Sequence, residues 1–216
     1  MKIGAKLGLT CLLAAVLAGP ARGQFKLQET FEGTTAPGWT LTDSAILTAP
    51  SIDAAGSGWL RLTAAATNQK GLALNSAFSF PGSQPVVVKF NYVSWSGTGA
   101  DGMTLFLYDS STASPMASAY TGGGLGYCGG EGGYLAVGLD EYGNFSNPGD
   151  KCLAASGGPG KRPDSVVIRG PTSLTNPWVG TTSIAGGIDN PSVAARPSPK
   201  TVQHGVFIEA RTLFRG

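Results

Sequence analysis

The chain is poor in the groups that most enzymes use for proton and electron transfer. It has one histidine, His204, close to its C-terminal end, and three cysteines, Cys11, Cys128 and Cys152. No Gly-x-Ser-x-Gly nucleophile motif occurs, and no Cys-x-x-Cys pair. Charged residues make up 13% of the chain, too few and too dispersed for a nucleic-acid surface. Beyond the first 20 or so residues no apolar run is long enough to cross a bilayer. Outside that opening stretch no window carries the 3.6-residue apolar stripe of a surface helix, and no internal repeat is present. These absences argue against a histidine- or thiol-based hydrolase, a nucleic-acid binder and an all-helical protein.

The opening stretch reads as a secretory signal. Lys2 and Lys6 give it a positive start, Leu7 to Ala18 is its apolar core, and Ala21-Arg22-Gly23 is a small-x-small cleavage site. The mature chain is then expected to span 24–216 as one domain, secreted, periplasmic or held at the cell surface, with no membrane span left. Removing Lys2, Lys6 and Arg22 leaves 12 basic against 13 acidic residues, a formal net charge of −1. Cys11 leaves with the signal. Cys128 and Cys152 remain, an even count in an exported chain, and a disulfide between them is expected.

The mature part holds most of the 33 glycines and 14 prolines, which suits a loop-rich all-β protein. Strands are predicted at 59–63, 86–93, 103–108, 134–139 and 165–168, where β-branched and aromatic residues alternate or cluster between turn signals. The stretches 110–127, 141–162 and 170–199 are polar or Gly/Pro-rich and read as long connections, the kind that carry function. Ser198-Pro199-Lys200 reads as either a linker or the approach to a further strand at 205–210.

Two of these connections, with the turn before the 103–108 strand, hold three polar clusters. The first is Gly99-Ala100-Asp101-Gly102. The second is the glycine run Gly122-Gly123-Gly124-Leu125-Gly126. The third is Asp140-Glu141-Tyr142-Gly143-Asn144, running on to Asp150. Calcium takes six to eight hard oxygen ligands, and Asp140, the Tyr142 carbonyl, Asn144 and Asp150 offer several within one loop. The competing reading is an Asx-rich turn that satisfies its own backbone. Asp101 suits a pair of vicinal sugar hydroxyls, or a plain strand-initiating turn. The glycine run lets backbone N–H groups approach a ligand. Phosphate cradling is the weaker alternative, since no Gly-Lys-Ser/Thr follows. Tyr127, Tyr142 and Phe145 lie nearby, where a ring either stacks on a sugar or fills the core. Asp140 and Glu141 are adjacent, so on a strand they point to opposite faces. That is poor geometry for a glycosidase pair, which needs its carboxylates about 5–10 Å apart across one cleft. The chain is therefore expected to bind rather than catalyse.

The order and spacing of the three clusters resemble the L-type (legume-type) lectins, above all their bacterial secreted and surface branch. Ala100-Asp101-Gly102 leads into a strand, a glycine loop follows about twenty residues on, and an apolar strand runs into Asp140-Glu141-Tyr142-Gly143-Asn144. Gly157-Gly158-Pro159-Gly160-Lys161-Arg162-Pro163-Asp164-Ser165-Val166 and Gly187-Ile188-Asp189 are similar to the bacterial branch. The resemblance covers most of 25–197. It implies a concanavalin-like jelly-roll sandwich of antiparallel sheets that binds glycans or glycoconjugates. It implies a sugar site of Asp101, an amide near Gly123 or Gly124, and Asn144. It implies calcium on Asp140, Tyr142 (through its carbonyl), Asn144 and Asp150, and an Ala-Asp bond that is often cis. Gly138 stands where the plant lectins carry a Glu that binds a transition metal, and no downstream metal-binding His is evident, so calcium is expected without manganese. The resemblance also implies more strands after Gly187-Ile188-Asp189 than Gly205–Phe214 supplies, so a sandwich short at its C-terminal end is expected. The alternatives to a sugar binder are a structural or adhesive surface domain that has lost sugar binding, and a concanavalin-fold glycoside hydrolase.

Overall fold

The computed structural model describes residues 26–49, 51–82, 84–97, 99–112, 120–148 and 157–188, and the backbone alone of 204–210. The signal segment, Asp150 and Cys152 lie outside these residues. The fold is all-β with antiparallel pairing throughout. Its strands are β1 (Trp39–Asp43), β2 (Ile46–Leu47), β3 (Leu60–Arg61), β4 (Gly71–Asn75), β5 (Val86–Tyr92), β6 (Gly102–Tyr108), β7 (Gly133–Asp140), β8 (Ser165–Arg169), β9 (Trp178–Ser183) and β10 (His204–Ala210). β6-β7-β8-β9 form a four-stranded meander, while β1 pairs with β4, β2 with β3, and β5 with β10. Among the described residues no helix is long and apolar enough to cross a membrane.

The predicted strands appear with small shifts at their ends, and β10 takes the place of the alternative linker. Five segments depart from the sequence reading. β1, β2 and β4 are strands that were not anticipated, and the predicted strand at 59–63 shortens to Leu60–Arg61. β9 runs through the stretch read as a long connection. Its sequence, Trp-Val-Gly-Thr-Thr-Ser, mixes a glycine with small polar residues and is exposed or half-buried throughout. A strand that buries so little apolar surface leaves a weak signal.

The four-stranded sheet has two faces of different character, because side chains alternate along each strand. Register sets Met103 opposite Leu139 and Leu139 opposite Val166 on one face. Phe90 and Tyr92 of β5 pack there with Met103, Leu139, Val166, Ile184 and Ile188. β5 alternates accordingly, with Val86, Val88, Phe90 and Tyr92 turned inward and Val87, Lys89 and Asn91 exposed. This is the sandwich layer of the protein. The opposite face carries Thr104 and Phe106 from β6, Ala136, Gly138 and Asp140 from β7, and Ser165, Val167 and Arg169 from β8. It is covered mainly by loop residues Leu125, Tyr127, Cys128 and Phe145, with Leu72 of β4 packed against them. Tyr127 and Phe145 meet edge to face, and Tyr127 donates from its hydroxyl to the Gly170 carbonyl at 2.9 Å. Burial pushes the Tyr127 phenol well above its ordinary range.

Candidate functional site

The three polar clusters meet at the β6–β7 end of that loop-covered face. Asp101 immediately precedes β6, and Asp140 ends β7 opposite Gly102. Gly102 has a φ of +131°, and a Cβ there would lie 2.2 Å from the Leu139 carbonyl oxygen. Only glycine lets the two strands close at this corner. The Ala100–Asp101 peptide bond is cis. The Asp101 carbonyl accepts the Tyr142 N–H at 3.2 Å, which ties the first cluster to the third. Its carboxylate reaches the second: Asp101 Oδ2 lies 3.9 Å from where a Cβ on Gly122 would stand.

The glycine run forms a single 3-10 turn over Gly122–Gly124, closed by Leu125 in the left-handed region. Thr104 Oγ1 of β6 donates to the Leu125 carbonyl at 2.8 Å and holds the turn over the sheet. Gly122 lies beside the Asp101 carboxylate, and Gly123 and Gly124 are buried. The Gly124 amide faces the Thr121 carbonyl at a long 3.4 Å.

The 141–148 loop is organised around Asp140, whose side chain is fully buried. Asp140 Oδ1 accepts the Gly143 N–H and Oδ2 accepts the Phe145 N–H, each at 2.8 Å. The carboxylate therefore nucleates its own turn, as the Asx reading requires. Burial, reinforced by the nearby Asp101 charge, pushes its pKa up to about 6 against the pull of those amides. Gly143 has a φ of +98°, and a Cβ there would lie 2.3 Å from the Pro163 nitrogen. That close approach lets the Gly143 carbonyl accept the Arg162 N–H at 3.0 Å. The Asn144 side chain is half-buried, and Tyr142 is exposed. Lys161 sits with its ammonium nitrogen 3.3 Å from the centre of the Tyr142 ring.

The three aromatic rings divide. Tyr127 and Phe145 are core, with no exposed surface, and Tyr142 alone faces solvent. Glu141 turns away from Asp140: its carboxylate accepts the hydroxyl of Tyr92 on β5, across the sandwich layer. The two neighbouring carboxylates thus point to opposite faces and share no cleft.

Arg169 is the group that the sequence reading passed over. It is fully buried on the same face as Asp140. Its Nε donates to the Phe145 carbonyl at 2.8 Å, and Nη1 donates to the carbonyls of Gly157 at 3.1 Å and Asn176 at 3.0 Å. Its guanidinium also lies 5.7 Å from the Phe145 ring centre. One side chain thus joins two stretches of the β7–β8 connection to the β8–β9 loop beneath the site. Burial lowers its pKa to about 10, partly offset by the charge of Asp140, so it stays cationic at neutral pH. The signal was present in the sequence: Ser165, Val167 and Arg169 share a parity, and all three have no exposed surface.

The position of Gly138 has a physical occupant. A Cβ there would lie 2.5 Å from Cδ1 of Phe145, so the ring fills the space that a longer side chain would need. A side chain at this position would have to displace that ring. Among the described residues, no three His, Cys, Asp or Glu side chains converge as a metal-binding group. The oxygens available to a hard cation are instead those of Asp140, the Tyr142 carbonyl and Asn144. Cys128 is buried and disulfide-bonded. Neither a protein-family model nor a curated protein matches this chain.

Proposed function

We propose that this protein is an exported, lectin-like carbohydrate-binding protein of the L-type group with a calcium-ordered sugar site, built as a jelly-roll sandwich and acting without catalysis. The observation that carries this reading is the meeting of the three clusters: Asp101 accepts the Tyr142 N–H and its carboxylate lies beside Gly122 of the glycine turn, at one corner of the sheet. Asp101 offers acceptors to adjacent hydroxyls, the glycine turn offers N–H donors close to Gly123 and Gly124, and Asn144 offers both. A sugar, dense in vicinal hydroxyls, suits that mixture of donors and acceptors.

Calcium would be held by Asp140, the Tyr142 carbonyl, Asn144 and Asp150, and would supply positive charge that fixes the loop with Asn144 toward the sugar. The Asp140 carboxylate accepts the backbone N–H groups of Gly143, Phe145 and Ser146, out of about four acceptor positions that its two oxygens offer. The Phe145 ring beside Gly138 supports calcium without manganese. Pairing of Cys128 with Cys152 would close the chain around the third cluster and limit its motion.

Glycan-array binding with and without a chelator tests the proposal. Binding that is lost with chelator and with Asp101→Ala is the expected result. Binding that survives both would refute this site. No binding to any glycan would favour the structural or adhesive surface domain. Release of reducing sugar from a polysaccharide would favour the glycoside hydrolase, a reading weakened by the divergent carboxylates of Asp140 and Glu141.

A further inference from the structure

The rim of the site carries cations that the body of the loop does not need. Lys161 and Arg162 are both exposed. They are brought to the site by backbone, not by their charges: the Arg162 N–H donates to the Gly143 carbonyl, and Gly143 has no side chain to hold the two segments apart. Among the described residues the one ion pair is Lys70 with Asp43, on the β1–β4 sheet. Lys161 instead rests its ammonium over the exposed Tyr142 ring, and the Arg162 guanidinium donates to the Lys161 carbonyl at 3.1 Å. Among the described residues no carboxylate forms an ion pair with Lys161 or Arg162, and Asp164, two residues on, accepts the Ile188 N–H. Asp140 is fully buried with Arg169 as its cationic neighbour, and Glu141 is buried against Tyr92.

We propose that Lys161 and Arg162 make this site select acidic saccharides, those bearing a carboxylate or sulfate on the ring next to the hydroxyls that Asp101 engages. The inference rests on the sugar-binding reading above and adds the substrate class. A cation–π contact at an exposed site is weak, so the Lys161 ammonium is readily exchanged. A sugar that stacks on the face of Tyr142 displaces the ammonium from the ring, and an anionic group on that sugar gives it a new partner. A neutral sugar displaces it with no such return. The difference between the two is the selectivity.

The test is an array that pairs each neutral oligosaccharide with its uronate and its sulfate ester, probed with the full chain in calcium. The wild-type protein is expected to prefer the acidic member by about five- to tenfold, the range open to two exposed ion pairs. The preference shrinks as salt rises to about 0.5 M. Lys161→Gln with Arg162→Gln is expected to bring the acid-to-neutral ratio near one, and Asp101→Ala to abolish binding of both classes. Both rim residues are exposed, and an unchanged melting temperature confirms that the double variant folds. The uronate and sulfate arms distinguish the two sources of charge. Equal binding of acidic and neutral members, or a preference that survives the double variant, overturns the inference and leaves the sugar site standing. Acidic members that still bind Asp101→Ala mark simple anion adsorption and also overturn it. If no glycan of either class binds, the sugar-binding reading falls with it.

Discussion

The two faces of the central sheet are buried by different means. The face toward β5 is closed by Phe90, Tyr92, Met103, Leu139 and Val166, a layer of apolar contact. The face toward the loops is just as dry, yet it encloses Asp140, Ser165 and Arg169, all without exposed surface. Apolar packing is non-directional, so apart from the Tyr92–Glu141 hydrogen bond the first face specifies little beyond a distance between layers. The second face is directional. Arg169 reaches three carbonyls in two loops, Asp140 reaches amides in one of them, and each bond fixes a position. A polar interior costs desolvation and returns geometry. That exchange suits the face that carries the site.

Substitutions can break this contrast. Arg169→Met is expected to have the largest effect, about 3–5 kcal/mol of lost stability, since it strands the carbonyls of Phe145, Gly157 and Asn176 and leaves Asp140 without its cationic neighbour. Arg169→Lys rescues little, because an ammonium cannot span the three acceptors. Urea unfolding measures both. On the other face Leu139→Ala costs about 2–4 kcal/mol, but Leu139→Met restores most of it because apolar packing tolerates a swap of similar volume. Equal rescue on both faces would show that the polar face is held by packing alone.

Smaller effects sharpen the same point. Gly138→Ala forces a methyl group against the Phe145 ring and is expected to cost about 1–3 kcal/mol in thermal or urea melts. Asp140→Asn replaces one acceptor oxygen with a donor facing an amide, for about 1–2 kcal/mol, and removes any thermal shift with millimolar calcium. The pH dependence is the mildest test. The folded chain holds a proton on Asp140 up to about 6, whereas the unfolded carboxyl releases it near its ordinary value of about 4. The stabilisation from this group is therefore complete below about pH 4 and lost as pH rises through 6 in calcium-free buffer. Asp140→Asn should flatten that slope between pH 4 and 7, and Leu139→Ala should leave it intact.

The apolar face was legible in the sequence because β5, β6, β7 and β8 alternate or cluster in ways that only strands satisfy. The polar face was legible in pieces. Asp101, Asp140, Tyr142 and Asn144 stood out as oxygen donors in Gly-rich turns, and those clusters do meet. What one chain of letters withheld was burial. Asp and Arg are ordinarily solvated, so nothing in Asp140 or Arg169 alone announced a residue sealed beneath a loop. The choice for each aromatic was also settled by packing: Phe145 became core because Gly138 leaves it a place to lie. β9 was missed because an edge strand with a half-exposed Trp178 and a run of small polar residues has no strong alternation.

Gly102 and Gly143, each with backbone within 2.3 Å of an absent Cβ, have a consequence for how such a protein changes over generations. The seams they form tolerate no side chain, so the frame of the site is closed to variation. Tyr142, Lys161 and Arg162 stand just outside those seams with their side chains in solvent. On the sugar-binding proposal, a lineage built on this frame could trade one ligand for another by changing three exposed residues, while the backbone that presents them stays under a separate and much stricter constraint.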